Sequence, residues 1–485
     1  MYNRKMVKFD NEVKDSLIQG VKLIANAVQT TFGPDGRNVI IKNKGGIHIT
    51  KDGATVASYV DSDDPLVQIG IDTVREVSLK TAKDVGDGSS TSIILAREIL
   101  NFCKDLDENP IDIQKGLKQE CDLVIQELNK LKKEITDEKD LRAVSILSTN
   151  NDVQLGNLIA DAYLKVGKEG VVNMEQSSDV IDSVVYTEGL EIESGYMSPY
   201  FINTNNNTCE LTNVLVHISE FAIDEISQIV NVADRAVREG KQLLIIAPKI
   251  HSSVLRFFIL NKSGKLESCC ITSPGFKHFR DTILQDVRNI LGETMVCEKV
   301  IVNKDTTIFS GCKSNKEKVE SEIVAIKEKL ASKTLDEVET KFHSKRLANY
   351  IGGIATIYVG GYSQIEITEK KDRVEDAICA VKAALDGGIL PGGGTALFYC
   401  ENKLNLKYLK NVLTMPLSIL MQMASYNKCI PSQEWMGFNL RTHECGNMLD
   451  MGIIDPFLVT KTALENAVSV ASLILTNECL IVNTK

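Results

Sequence analysis

Acidic residues in this chain stand beside glycine-rich turns, the pairing that a site for phosphate and a metal ion requires. The string Gly86-Asp87-Gly88-Ser89-Ser90-Thr91 opens a predicted helix, where free backbone N–H groups and hydroxyls favour an anion. Asp87 can hold a hard cation such as magnesium alongside phosphate oxygens. Two further loops, Thr31-Phe32-Gly33-Pro34-Asp35-Gly36-Arg37-Asn38 and Gly392-Gly393-Gly394, let backbone approach a ligand closely. With Asp52, Asp376 and Asp455 they line one pocket if the N-terminal and C-terminal segments meet. Each motif also has a plainer reading. Asp-Gly is a common turn with a capping Ser, Gly33-Pro34 suffices to stop a helix, and Asp376 suits a helix N-terminus by its charge. Taken singly, the plainer readings win. No GxxxxGK[ST] occurs and no GxGxxG precedes a helix, so a nucleotide site here needs another form.

The elements that must position these residues fall into three stretches. Val13, Leu17, Val21, Ile24 and Val28 recur at helical spacing, and Gly33-Pro34 ends that helix. A hairpin follows over Asn38–Thr50 through a Lys-Gly-Gly turn. A second helix starts at Asp64-Pro65 and runs to about Asp84, and a third starts beyond the Gly86–Thr91 loop. From Ser145 the texture changes to short β-branched strands, such as Gly170–Asn173 and Leu243–Ala247, alternating with helices. One helix is predicted over about Ile223 to Arg238. Another, about Ser252 to Asn261, is apolar around nearly its whole circumference, so it is either deeply buried or sticky by design, and the residues alone favour burial. A charged helical segment over about Ser314 to Arg346 leads to Gly352-Gly353 and a strand through Ile357 and Val359. Helix resumes at Arg373 and dominates onward. Helical flanks around a mixed middle predict a domain built from both terminal segments, with another inserted.

The composition is that of a globular protein. At 485 residues the chain exceeds the roughly 250–300 at which a single core stops growing. The net charge of −10 disfavours a nucleic-acid backbone as partner. Twelve cysteines are scattered without CxxC spacing and without a signal peptide, which predicts reduced core thiols in a cytoplasm and no zinc. The six histidines lie far apart. No apolar run approaches the roughly 20 residues of a membrane span, so a soluble protein with no membrane partner is expected.

An ordered set of strings resembles the group I chaperonin family, of the GroEL type, from one end to the other. It comprises Thr-Phe-Gly-Pro-Asp-Gly-Arg-Asn at 31–38, Thr-Lys-Asp-Gly at 50–53, Gly-Asp-Gly-Ser-Ser-Thr at 86–91, Lys-Val-Gly-Lys-Glu-Gly-Val at 165–171 and Gly-Tyr-Met-Ser-Pro-Tyr-Phe-Ile-Asn at 195–203. Val-Asn-Lys-Asp-Thr-Thr at 302–307, Arg-Val-Glu-Asp-Ala at 373–377, Gly-Gly-Gly at 392–394 and Gly-Asn-Met-Leu-Asp-Met-Gly-Ile-Ile-Asp-Pro at 446–456 complete it.

The resemblance implies a multidomain α and α/β protein. Its mainly helical equatorial domain would span 1–133 and 387–485, a small α/β intermediate domain 134–187 and 355–386, and an inserted α/β apical domain 188–354. It implies ATP, Mg2+ and K+ as cofactors. Thr31, Phe32, Gly33, Pro34 and Lys51 would contact nucleotide, Asp87 the magnesium, and Gly88, Ser89, Ser90 and Thr91 the phosphates. Gly393, Asn439 and Asp455 would meet base and ribose, while Asp376 activates water with Asp52 nearby. Non-native polypeptide would be held by Tyr196, Tyr200, Phe201, Val230, Ala233, Leu255, Ile259 and Leu260.

In such a machine, ATP brings the intermediate domain down with Asp376 while the apical domain swings about hinges at Gly189 and Gly352-Gly353. Implied partners are further copies in a heptameric ring, single or double, and a co-chaperonin lid, in a cytoplasm that is a host's if the source is viral. The alternatives are a passive holdase and a structural ring protein without productive ATP cycling. Compared with the family, the segment from Cys400 to Asn439 and the region near Glu298-Lys299 are short. Leu440-Arg441 replaces small residues, and the sequence stops at Lys485 without a Gly-Gly-Met tail. A single ring is therefore expected to be accessible.

Overall fold

The computed structural model describes residues 5–43, 46–168, 170–177, 179–187, 189–204, 207–261, 266–275, 277–331, 337–351, 354–425 and 433–483. Lys44-Gly45 of the expected turn and the expected hinge Gly352-Gly353 lie outside them. In chain order the elements begin with β1 (Lys5–Phe9), α1 (Asp10–Gln29), β2 (Val39–Asn43), β3 (Gly46–Thr50), α2 (Gly53–Ser58), α3 (Pro65–Val85), α4 (Ser89–Cys103), α5 (Pro110–Leu131), α6 (Glu138–Ser148) and α7 (Val153–Val166). The middle contains β4 (Val171–Gln176), β5 (Ser183–Thr187), β6 (Gly189–Ile192), β7 (Cys209–Ile218), α8 (Val230–Glu239), β8 (Gln242–Ala247), α9 (Ser252–Asn261), β9 (Ser268–Thr272), α10 (Lys277–Leu291), β10 (Val296–Val302), β11 (Thr307–Cys312), α11 (Lys316–Ala331), α12 (Glu337–Ile351) and β12 (Ile354–Val359). Then come α13 (Gln364–Gly387), β13 (Ile389–Pro391), α14 (Thr395–Lys403), α15 (Met415–Met423), β14 (Met436–Asn439), β15 (Glu444–Asn447), β16 (Ile454–Pro456), α16 (Phe457–Leu475) and β17 (Cys479–Asn483).

Two compact units result. The first joins Met1–Ala160, Gln176–Asp182 and Val359–Lys485; the second joins Asp161–Glu175 and Ser183–Tyr358.

In the first unit the apolar stripe of α1 is fully realised, with Val13, Leu17, Val21, Ile24 and Val28 all buried. Asp64 caps α3 by accepting from the Leu66 N–H at 2.8 Å, and Pro65 occupies the first turn, where its missing N–H costs nothing. Helix α16 packs on α3, α4 and α5. Against the sequence expectation, α16 is long and apolar enough to cross a membrane, with a mean hydropathy of 1.3, but 61% of that stretch is buried within the protein. Its buried Asn466 donates to the Thr81 hydroxyl at 2.8 Å, which marks a core helix that has paid for its polar group with a partner. Strands β1 and β17 pair antiparallel, with Met6 opposite Val482.

The second unit is built on a six-stranded sheet in the order β6-β11-β10-β7-β8-β9 and a three-stranded sheet in the order β4-β12-β5. Strands β7, β8 and β9 run parallel, joined by the crossover helices α8 and α9, as parallel neighbours require. Phe201, Phe258 and Phe309 fill its core. Cys209, Cys269, Cys270, Cys297 and Cys312 are buried here, as small core residues.

Three element expectations are corrected. The helix expected from Ile223 starts at Val230, because Glu225 and Gln228 form a reciprocal capping box around a 3-10 turn over Ile226–Gln228. Helix α13 starts at Gln364 rather than Arg373, where Ser363 accepts from the Glu366 N–H at 3.2 Å. The C-terminal region carries the β14–β15 hairpin, β16 and β17 besides its helices. Gly189, expected at a hinge, sits in β6 opposite Ser310.

Candidate functional site

The turn between α3 and α4 is the centre of the site. Gly86 ends α3 at φ +73°, and a Cβ there would fall 1.8 Å from the Cys379 Cβ, so no side chain fits. This presses the turn against α13 three residues beyond Asp376 and sets Asp87 beside that helix. Gly88, at φ +84°, begins α4, and no side chain caps the helix. The first turn of α4 therefore keeps donors for a ligand. The Gly88 N–H donates to Asp87 Oδ1 at 2.5 Å.

Other elements close on the same space. A Cβ on Gly53 would meet Ser90 Oγ at 1.9 Å, which brings the start of α2 onto the start of α4. Asp52 caps α2, accepting from the N–H groups of Ala54 at 3.1 Å and Thr55 at 2.6 Å. Pairing of β13 with β16 places Asp455 opposite Leu390, and Asp455 accepts from the N–H groups of Gly393 and Gly394. Asn439, at the end of β14, holds a turn by accepting from Arg441 and Thr442 N–H groups at 3.0 and 3.2 Å.

Together these surround a cavity of about 520 Å³ inside the first unit. Thr31, Phe32, Gly33 and Pro34 line one part, Lys51 and Asp52 another, and Asp87 through Thr91 a third. Asp376, Gly393, Asn439 and Asp455 complete the predicted set, with Leu440 and Arg441 also at the wall. Sequence segments more than 400 residues apart thus meet in one place, and the reading of Asp376 as a helix N-terminal residue fails because it sits in the middle of α13.

The electrostatics are those of a site poised for positive charge. Asp87 has more than a third of its surface accessible, and that surface faces the cavity. Its carboxyl is nevertheless held above the usual range by burial, an effect opposed by the Gly88 N–H and reinforced by Asp52. Asp376 is pushed well above it by burial, then by the charges of Asp87, Asp52, Glu375 and Asp372. Asp455 is pushed up to about 7, by burial and Asp87 against the donors of Gly393 and Gly394. Among the described residues, no three His, Cys, Asp or Glu side chains form a ready metal cage. A cation held by one carboxylate and phosphate oxygens fits that donor set, as is usual for magnesium. The residues present therefore fit the metal and an anionic partner at the α4 N-terminus.

Sequence reasoning missed Asp372, which lines the cavity four residues before Asp376 and is pushed up to about 6 by burial, Asp52, Glu375 and Glu369. The i, i+4 spacing was the signal that could have found it. It also missed the apolar side of the cavity at Leu417 and Leu420 on α15.

The second unit carries the residues expected to meet polypeptide, and they divide by depth. Tyr200 and Leu260 are 75% and 70% exposed, and Val230 is 38% exposed. Tyr196, Leu255 and Ile259 are half-buried against the core. Phe201 and Ala233 are buried, which corrects their expected place at the surface. Phe201 tucks under the 3-10 turn Pro199–Phe201, while Ala233 lies on the buried face of α8. Helix α9, for which the residues alone favour burial over a sticky surface, buries only Val254 and Phe258 fully. Phe221, 78% exposed, adds an apolar group that the sequence had not singled out.

A helical unit assembled from both terminal segments, an inserted sheet unit and a carboxylate-lined cavity at an uncapped helix define a chaperonin, and the chain belongs to the TCP-1/cpn60 chaperonin family, which it matches over residues 24–425. Two crystal structures of the chaperonin gp146 from the bacteriophage EL 2 (Pseudomonas aeruginosa), both in the presence of ATP-BeFx, share its fold. Crystal form II is 22% identical with a TM-score of 0.77, covering 99% of this chain and 100% of that one. Crystal form I is 22% identical with a TM-score of 0.70, covering 99% of each.

Proposed function

We propose that this chain is an ATP-hydrolysing chaperonin subunit that captures non-native polypeptide on its second unit and encloses it within a ring of copies. The observation that carries the reading is the set of carboxylates, Asp52, Asp87, Asp376 and Asp455, gathered around the uncapped start of α4 with three of them raised above their ordinary range. Like charges so placed are unfavourable alone and become useful when cation and phosphate arrive together.

In this reading Asp87 holds the magnesium, which when bound neutralises phosphate charge and fixes the geometry of the transferred group. The N–H groups and hydroxyls of Ser89, Ser90 and Thr91 orient the phosphates. Thr31 to Pro34 and Lys51 contact nucleotide from the opposite side, and Gly393, Asn439 and Asp455 take base and ribose. Asp376 accepts a proton from the attacking water, with Asp52 adjacent; its raised pKa makes it a stronger base than an ordinary carboxylate. Potassium is a further cation of the site.

Tyr200, Val230 and Leu260 form the apolar surface for polypeptide, with Tyr196, Leu255 and Ile259 behind them. Apolar groups so exposed on a soluble protein mark an interaction surface. The equatorial, intermediate and apical division at 1–133 with 387–485, 134–187 with 355–386, and 188–354 accompanies this function. So do a heptameric ring accessible as a single ring, a co-chaperonin lid, and a cytoplasmic site of action.

An ATPase assay with and without magnesium, run beside an aggregation assay on a chemically unfolded protein, tests the reading. Magnesium-dependent turnover with ATP-dependent release of captured protein is expected. Absence of turnover with intact capture would leave a passive holdase, and assembly without capture a structural ring.

A further inference from the structure

Helix α13 presents a second carboxylate to which the proposed function gives no task. Asp372 lies four residues before Asp376, and side chains so spaced share one helix face with Cβ atoms about 5–6 Å apart. Both line the cavity. Among the described residues neither side chain has a hydrogen bond or ion pair, whereas the adjacent Arg373 pairs through its Nη atoms, at 2.9 Å with Glu369 and 3.7 Å with Asp152. Arg373 lines the same cavity but is paired with Glu369 and Asp152 rather than with Asp372 or Asp376. The charged groups that act on them are Asp52 before α2, Asp87 on the α3–α4 turn, and Glu369, Lys371 and Glu375 on α13 itself, in a cavity that Lys51, Arg373, Arg441 and Asp455 also line.

An unpaired carboxylate half-buried among acidic neighbours is costly to keep without a use. We propose that Asp372 is a positioning residue for hydrolysis, acting through Asp376: it takes over the proton that Asp376 draws from the attacking water and passes it to solvent. The inference rests on the ATP-hydrolysis reading. In the step, the water oxygen bonds to the terminal phosphorus as the bond from that phosphorus to the ADP oxygen breaks. The proton lost by the water moves to Asp376, across one bridging water to Asp372, and then to bulk, so that ADP, inorganic phosphate and one proton leave and both carboxylates end ionised. The affinity of Asp372 for a proton, near pH 6 through burial and then Asp52, suits a group that must both accept and release one close to neutrality. Its charge also helps to keep Asp376 basic.

The test is steady-state ATP hydrolysis by the full chain with magnesium across pH 5 to 9, comparing Asp372→Asn, Asp372→Glu and Asp376→Asn with the unmodified protein. Asp372→Asn is expected to lower kcat about tenfold, less than the 10²–10⁴ of a directly acting base, with KM unchanged. The acid limb of kcat should move to lower pH, because removing a negative charge lets Asp376 ionise more easily. Asp372→Glu should restore most of the rate. An Asp372→Asn protein with unaltered kcat and acid limb overturns the inference, as does a loss that leaves the limb in place and is not recovered by Glu. Asp372→Ser enters the same assays if Asp372→Asn does not assemble. If the unmodified protein shows no magnesium-dependent turnover, the hydrolysis reading itself fails; if it turns over and Asp376→Asn is inactive while Asp372→Asn is unaffected, only the inference does, and an Asp376→Asn protein of full activity overturns the inference by removing the base it acts through.

Discussion

Arg346 on α12 grips Asp286 on α10 with both arms, Nε and Nη2 donating at 2.6 and 2.7 Å to the two carboxylate oxygens in the interior of the second unit. Tyr350 donates to the same carboxylate at 2.6 Å, and Glu322 takes a further bond from Arg346 at 3.0 Å. Removing one member leaves a buried charge without its partner, so Arg346→Met should cost about 3–5 kcal/mol in urea unfolding. Arg346→Met combined with Asp286→Leu should recover much of that. Additive losses in the double variant would show that the pair does not act as a unit.

Asp376→Ala should bind ATP with little change and lose turnover by at least about 100-fold, the contribution of a positioned base. Asp87→Asn should differ in kind, weakening magnesium-dependent nucleotide binding by ~10-fold or more. Calorimetric titration beside single-turnover hydrolysis separates the two. Unchanged turnover in Asp376→Ala would remove it from the chemistry.

The cavity also predicts an unusual response to pH. Asp455 has a folded pKa of about 7 against 3.8 for the free group, so the folded state holds its proton more tightly than the unfolded one. Stability from this group is therefore complete at low pH and falls as pH rises from about 4 toward 7. Asp372, at about 6, acts in the same direction. In nucleotide-free protein, Asp455→Asn should flatten the fall of the thermal midpoint between pH 5 and 8. An equal fall in both proteins would contradict the assignment.

Leu260→Ser should leave stability within about 0.5 kcal/mol, because a side chain 70% exposed has little burial to lose. Capture of an unfolded protein should nevertheless weaken, measured as light scattering of an aggregating substrate. Phe201→Ser should do the reverse, costing stability through a polar group and a void in the core.

What could be read from the residues was whatever rests on local chemistry. The stripe of α1, the Asp64-Pro65 start of α3 and the glycine loops follow from periodicity, capping and turn preference, and all appear where expected. Depth was harder. Phe201 and Tyr200 are neighbours of similar character, yet one is buried and the other 75% exposed, because only the fold of the turn decides which faces the sheet. The extra turns of α13 were hidden by a charged run whose helical order comes from packing on α6 and α16 rather than from an apolar stripe. Asp372 escaped for the same reason.

The spread of the cavity along the sequence has a consequence for synthesis. Its wall needs Thr31 at one side and Asp455 at the other, and the surrounding core needs α16, which packs on α3, α4 and α5. The second unit is complete by Tyr358. Units made earlier on the ribosome fold earlier, so the polypeptide-binding surface can mature while the ATP site is still in pieces. During that interval the nascent chain exposes apolar helices awaiting α16, and it shares the vulnerability of the proteins it is proposed to rescue.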